Sequence, residues 1–262
     1  MGVLNVTRES FSDGGKFFAL EKAVAQGMQL ADDGADILDI GGESTRPGSK
    51  PLEEEEEIRR VIPVIQELDR QISIPMSVDT RKARVAALAL EAGAEMVNDI
   101  SALSYDSKMA DVVAAHQVPV VLMHMRGTPE TMQLEPHYDD LIGEIRDFFV
   151  ERLTFAVKKG IPVARIILDP GIGFGKSVEQ QHNLILLKNL SSFTDLKRPL
   201  LVGPSRKVFI GKILGLPSEE REEGTMGAVA VAICNGTNIV RVHEVKKMRR
   251  VVQVVDAIVR CS

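Results

Sequence analysis

The chain has 262 residues, of which 44% are hydrophobic and 26% charged. That much apolar side chain can fill a large core, which excludes a mostly disordered chain. A net charge of −5 argues against a duplex nucleic-acid binder, because such proteins carry a basic excess.

A bilayer span needs ~20 apolar residues, and the best stretch, Ala228 to Cys234, falls far short. The N-terminus lacks the basic and apolar regions of a signal peptide, and Val6 stands where N-myristoylation needs Ser or Thr. The two cysteines, Cys234 and Cys261, suggest neither a disulfide framework nor a zinc site. They fit a reduced, cytoplasmic setting.

Eight short apolar runs punctuate the sequence: Gly2–Val6, Ile37–Ile40, Met76–Val78, Met96–Asn98, Val118–Met123, Arg165–Leu168, Leu200–Gly203 and Ile239–Val242. Amphipathic helical segments lie between and after them. Leu20, Ala23, Val24, Gly27 and Ala31 share one face, and Ile58, Val61, Ile62, Ile65 and Leu68 another. Val85, Leu88, Ala89 and Ala92 repeat the spacing of three and four, as do Leu141, Ile145, Phe148 and Phe149. Val245, Met248, Val252, Val255 and Val259 form the last such stripe. Strand–helix alternation predicts a parallel sheet covered by helices. Eight units in this length predict a closed (β/α)8 TIM barrel, α/β in class and a single domain over 1–262. An open doubly wound sheet is the rival, but no switch-point fingerprint is present.

The acidic run 53–57 reads as the solvated first turn of a helix, where carboxylates suit the helix dipole. Three connections read as loops, at 7–16, 41–51 and 126–136. The segment 170–177 resembles a phosphate-binding loop only loosely: Pro170 stands where the P-loop needs Gly, and Lys176 where the dinucleotide pattern needs its third Gly. It reads as a Gly-rich turn whose backbone can approach a ligand closely. The five histidines lack zinc spacing, and His116 and His182 read as ordinary surface or helix residues.

Ligands of such barrels sit at the carboxyl ends of the strands. The residues there are Asn5, Asp39, Asp79, Asn98, His124, Asp169, then Ser205 with Arg206 and Lys207, then Arg241 with His243. Singly, each could cap a helix or make a turn. Together they would leave costly unpaired groups unless something binds them. Strands two, three and six end in acids, whereas strands seven and eight supply bases. The expected ligand therefore has one end rich in N–H donors, such as a 2-amino-pyrimidinone ring, and one phosphate or pyrophosphate end. Asn5 could offer an amide oxygen to Mg²⁺ beside the phosphates.

These residues resemble a known family. Residues 1–7 with Ser10-Phe11-Ser12-Asp13-Gly14-Gly15 look like the first signature of dihydropteroate synthases, and residues 39–48 look like the second. Ser77-Val78-Asp79-Thr80, Asn98-Asp99-Ile100, residues 122–125, Leu168-Asp169-Pro170-Gly171, Gly173-Phe174-Gly175, Ser205-Arg206-Lys207 and Arg241-Val242-His243 continue the match to the last strand. The resemblance implies a folate-biosynthesis transferase that joins 6-hydroxymethyl-7,8-dihydropterin pyrophosphate to p-aminobenzoate. It implies that Asp79, Asn98, Met123 and Asp169 hold the pterin, with Lys207 over its ring. Arg241, His243 and Ser205 would meet the pyrophosphate, and Asn5 the Mg²⁺. Thr45, Arg46, Pro47, Phe11 and Phe174 would form the p-aminobenzoate pocket. Asp13, Arg46, Lys207, Arg241 and His243 would be catalytic. The family is usually a homodimer and a sulfonamide target. Its members usually carry a short segment before the first strand.

The match departs from the family at three places. Arg8 and Glu9 replace a Pro-Asp pair, which frees the backbone of that loop. Val208 replaces a common Ser, and Glu244 a common Asp, the latter expected to matter little. Loops 7–16 and 43–51 are expected to order with substrates. Two rival functions share the barrel: a corrinoid-dependent methyltransferase domain, and a pterin binder that has lost turnover.

Overall fold

Residues 1–6 and 15–261 are described by a computed structural model, in which strand and helix alternate throughout. The strands are β1 (Gly2–Asn5), β2 (Leu38–Gly41), β3 (Met76–Asp79), β4 (Met96–Asp99), β5 (Val120–Met123), β6 (Ile166–Asp169), β7 (Leu201–Val202) and β8 (Ile239–Val240). The α-helices are α1 (Gly15–Asp32), α2 (Glu54–Asp69), α3 (Ala83–Glu91), α4 (Met109–His116), α5 (Leu141–Lys158), α6 (His182–Lys188), α7 (Val208–Leu214), α8 (Glu222–Cys234) and α9 (Val245–Arg260).

Strands β1 to β6 pair in sequence order, all parallel, and β7 pairs with β8. Two further parallel bridges, Leu168–Leu200 and Gly2–Val242, close the ring. The amides of Val3 and Val242 donate to the carbonyls of Val242 and Met1, both at 3.0 Å. The expected (β/α)8 barrel is therefore the observed one, with its thinnest seams on either side of β7 and β8.

Strand side chains alternate between the two faces, and here each face has its own core. Leu4, Leu38, Ile40, Val78, Val97, Val120, Leu122, Ile166, Leu168 and Val202 point outward under the helices. The inward set is small: Met1, Met96, Val121, Ile167 and Leu201, with Ile37 and Ile239 against them. This apolar layer plugs the barrel. One repeat further along the same strands, still facing inward, stand Asp39, Asn98, Met123, Asp169 and Arg241. The plug and the polar layer above it are thus consecutive inward positions.

Two expectations need correction. The acidic run is not wholly solvated. Glu57 is 1% exposed and pairs with Lys82, which also meets Glu43 at 2.5 Å. The run enters α2 with its fifth carboxylate turned under the loop after β2, so only the earlier ones face water. The stripe on α9 packs on the barrel over four of its five residues. Val245 and Met248 are buried and Val252 and Val255 pack against the core, but Val259 is 50% exposed. His182 is 4% exposed, and its Nδ1 accepts the amide hydrogen of Ser177 at 3.1 Å, so it belongs to the interior.

The turn after β6 is the tightest approach in the fold. Gly171 has φ +72°, and a Cβ there would stand 1.9 Å from the carbonyl oxygen of His124. Gly48, φ +78°, has nothing within 4 Å of the same position. Gly48→Ala should therefore cost only left-handed strain, about 1–2 kcal/mol. Gly171→Ala should lose at least about 3 kcal/mol, because backbone must also move. Urea unfolding of both variants measures the difference, and equal losses would show that the contact with His124 does not constrain the turn.

Candidate active site

The polar layer is wired together. Arg241 Nε donates to Asp39 Oδ2 at 2.6 Å, and its Nη2 donates to Asp79 Oδ2 at 2.8 Å. Asn98 Nδ2 donates to the same Asp39 oxygen at 2.9 Å. Asp39 is fully buried, and its Oδ1 has no partner among the described residues. Burial raises the Asp79 carboxyl above its usual range. The Arg241 charge opposes that rise, and the neighbouring Asp39 adds to it.

The expected separation of acids from bases does not hold. β8 closes against β1, so the long Arg241 side chain crosses to β2 and β3 and neutralises their acids. Arg206 pairs with an acid of its own beside His243 instead of joining the Arg241 network. It has φ +58°, its amide donates to Thr225 Oγ1 at 3.1 Å, and Arg221 Nη1 donates to its carbonyl at 3.1 Å. Its Nη2 meets Glu244 Oε1 at 2.8 Å. A non-glycine residue in that region is held there by its surroundings, here α8. The Glu that replaces the family's usual Asp is thus the partner of Arg206.

Asp169 is 5% exposed, and its Oδ1 accepts the Gly171 amide hydrogen at 2.8 Å. Burial raises its carboxyl to about 6, against that hydrogen bond and the Lys207 and Arg241 charges. Lys207 Nζ lies 4.1 Å from the centre of the Phe174 ring, within cation–π reach. Burial, helped by Arg241, lowers Lys207 to about 8, while Asp169 and Asp79 pull the other way. Met123 is 3% exposed at the end of β5.

Ser205 Oγ lies 2.9 Å from His243 Nδ1. Burial lowers the imidazole to about 4, with Arg241, Arg206, Lys207 and Arg46 adding to the shift. Burial and the surrounding cations thus favour the uncharged imidazole, which keeps one N–H donor. Arg46 is exposed, as is Pro47, while Thr45 is half-buried.

The loop 43–51 carries hydrogen bonds of its own. Ser49 Oγ lies 2.6 Å from the carbonyls of Ser44 and Arg46, and the Gly48 amide donates to the Pro129 carbonyl at 2.9 Å. Its base is pinned by Glu43, which takes Arg81 at 2.7 Å, Lys82, and the Leu52 amide at 3.0 Å. Burial alone would raise the Glu43 carboxyl, but these donors hold it below the usual range. Asn5 is exposed at the carboxyl end of β1, beside Gly41. Phe11 and Asp13 lie outside the described residues.

The sequence reading thus brings Asp79, Asn98, Met123, Asp169, Phe174, Ser205, Lys207, Arg241 and His243 to one end of the barrel. It missed three features. Asp39, a strand end and the start of the second signature but assigned no role, is the hub of the Arg241 network. The Glu43–Arg81–Lys82–Glu57 cluster was not foreseen, although Arg81 and Lys82 directly follow the Ser-Val-Asp-Thr motif. Lys176 was noted only for spoiling a glycine pattern, yet it is wholly buried.

Comparison with known proteins places this arrangement. Residues 1–243 match the family described as pterin binding enzyme. The dihydropteroate synthase of Synechocystis sp. is 49% identical over 99% of this chain and 90% of its own length. That of Bacillus subtilis is 48% identical over 98% of this chain and 87% of its own. The Xanthomonas albilineans dihydropteroate synthase with 4-aminobenzoic acid superposes with a TM-score of 0.93 at 46% identity, covering 100% of this chain and 93% of that one. A structure of the same enzyme with 7,8-dihydropteroate gives 0.89 at 43% identity, covering 100% and 94%. The chain belongs to the dihydropteroate synthases, transferases of the pterin-binding family.

Proposed function

We propose that the chain joins 6-hydroxymethyl-7,8-dihydropterin pyrophosphate to p-aminobenzoate, giving 7,8-dihydropteroate and pyrophosphate, as a step of folate biosynthesis. The observation that carries this reading is the polar layer of Asp79, Asn98 and Asp169 with Lys207 and Arg241 directly above an apolar plug. It offers buried acceptors to a ring rich in N–H donors and cations to a pyrophosphate. The compounds bound in the Xanthomonas albilineans structures, 4-aminobenzoic acid and 7,8-dihydropteroate, are one substrate and one product of that reaction.

In this proposal Asp79, Asn98, Met123 and Asp169 hold the pterin, and Lys207 lies over its ring. Thr45, Pro47, Phe174 and Phe11 form the p-aminobenzoate pocket. Arg46, Arg241 and the neutral His243, steadied by Ser205, donate to the pyrophosphate. Asp13 remains a candidate from the first loop. The C–O bond of the CH2–O–P link breaks, and its electron pair leaves with the pyrophosphate. Donors already aimed at the departing oxygens lower that barrier without reorganising. The arylamine nitrogen gives its lone pair to the CH2 carbon and sheds a proton. Little more than positioning is then required of the pocket.

Mg²⁺ fits the residues present. Among the described residues no group of three or more His, Cys, Asp or Glu could hold a metal. Mg²⁺ needs no such cage, because it keeps waters and takes few protein ligands beside substrate phosphates. Asn5 would hold it, and when bound it would neutralise charge on the leaving group. We infer further that the chain works as a pair of identical copies. The setting is cytoplasmic in this reading. No helix among the described residues is long and apolar enough to cross a membrane.

The test is pyrophosphate release with each substrate alone and with both. Release that needs both substrates supports the synthase. No release marks a binder without turnover, and release indifferent to p-aminobenzoate overturns the reading. Asp169→Ala should abolish pterin binding in calorimetry while the chain stays folded; undiminished affinity would displace Asp169 from the pocket. Light scattering at twice the chain mass supports the pair, and a monomer rules it out.

The ionisations set the pH profile. Both Asp169 oxygens can accept a pair of N–H donors only in the ionised form, so kcat/KM for the pterin substrate should rise with pH through about 6. Lys207 loses its charge above about 8, so the same parameter should fall there. kcat/KM reports the free enzyme's groups, and Asp169→Asn should change the acid limb, leaving the part set by Asp79, which burial raises to about 7. An acid limb unchanged in that variant would assign it elsewhere.

A further inference from the structure

Lys176 is 0% exposed, yet its hydrogen-bond partners among the described residues are all uncharged groups. Its Nζ lies 3.0 Å from His124 Nδ1, 3.3 Å from the Gly171 carbonyl and 2.8 Å from the Phe174 carbonyl. An ammonium has three hydrogens and no lone pair, so three acceptors match it. Nδ1 of His124 must then accept, which puts the ring proton on Nε2. Burial, with the Lys176 and Arg126 charges, pushes His124 well below its ordinary value, as that assignment requires.

Burial also lowers Lys176, to about 7. The Asp169 charge opposes that shift, and the Arg126 and Lys207 charges add to it. The Tyr138 ring lies 5.8 Å away. Its hydroxyl donates to the Gly175 carbonyl at 2.8 Å and so closes the far side of the pocket.

The three acceptors belong to two segments. His124 ends the strand run of β5, and its amide donates to the Asp169 carbonyl at 2.8 Å. Gly171 and Phe174 bound the turn after β6. The Gly171 amide is the donor that fixes the Asp169 carboxylate. Lys176 therefore grips the turn whose backbone aims Asp169.

We propose that Lys176 is a positioning residue. Its buried side chain ties His124 to the turn after β6, and by holding the Gly171 carbonyl it positions the residue whose amide fixes the Asp169 carboxylate for the pterin. The proposal rests on the synthase reading and adds a residue to it.

The first test is steady-state kinetics of Lys176→Met with both substrates varied. KM for the pterin pyrophosphate should rise at least tenfold, while KM for p-aminobenzoate changes less than threefold. A merely structural role would lower the active fraction and leave both KM values unchanged, which would overturn the proposal. If Lys176→Met does not fold, His124 variants decide. By calorimetry with the pterin pyrophosphate, His124→Asn, which keeps an acceptor, should bind within threefold of the parent. His124→Leu, which removes it, should bind at least tenfold more weakly. Equal affinity in the two variants would overturn the proposal. Absence of turnover in the parent chain would instead sink the synthase reading, because the binding comparison does not depend on turnover.

Discussion

A barrel strand turns every second side chain inward, and the site follows from that repeat. Ile37, Met96, Ile167 and Ile239 close the interior with hydrocarbon. Two residues later the same strands place Asp39, Asn98, Asp169 and Arg241 on the same face. The apolar layer keeps water from reaching the polar one from below. The carboxylates above it are consequently buried, and burial is the first cause of the raised values of Asp79 and Asp169. A shift of one residue in any strand would send its polar end into the helix-facing core.

Buried charge needs compensation, and Arg241 supplies it for two strands at once. Breaking such a buried pair by removing one partner typically costs about 3–5 kcal/mol. The guanidinium is also the group best suited to a pyrophosphate. In the proposed reading a ligand bearing both N–H donors and phosphate takes up both sides of that pairing.

Most of the fold was legible because strands and helices differ in period and the strand count was eight. The polar strand ends were legible for the same reason: each stands where an apolar run stops. What stayed hidden were the partners. No spacing rule says that Arg241 crosses the barrel to Asp39 and Asp79, because that contact depends on how β8 closes on β1. Glu57 sits within an acidic run, and Lys176 within a glycine-rich turn. Their burial comes from packing against segments distant in sequence, Lys82 for one and His124 for the other. Arg206 pairs apart from that network for a local reason, since its left-handed backbone turns the side chain toward Glu244.

The most direct measurement is a crystal structure with the pterin pyrophosphate bound in the absence of p-aminobenzoate. The account expects the ring above Met96 and Ile167, its N–H groups on Asp79 and Asp169, and its phosphates toward Arg241 and His243. A pterin bound elsewhere, with the Arg241 pairs to Asp39 and Asp79 intact beneath an empty mouth, would contradict it.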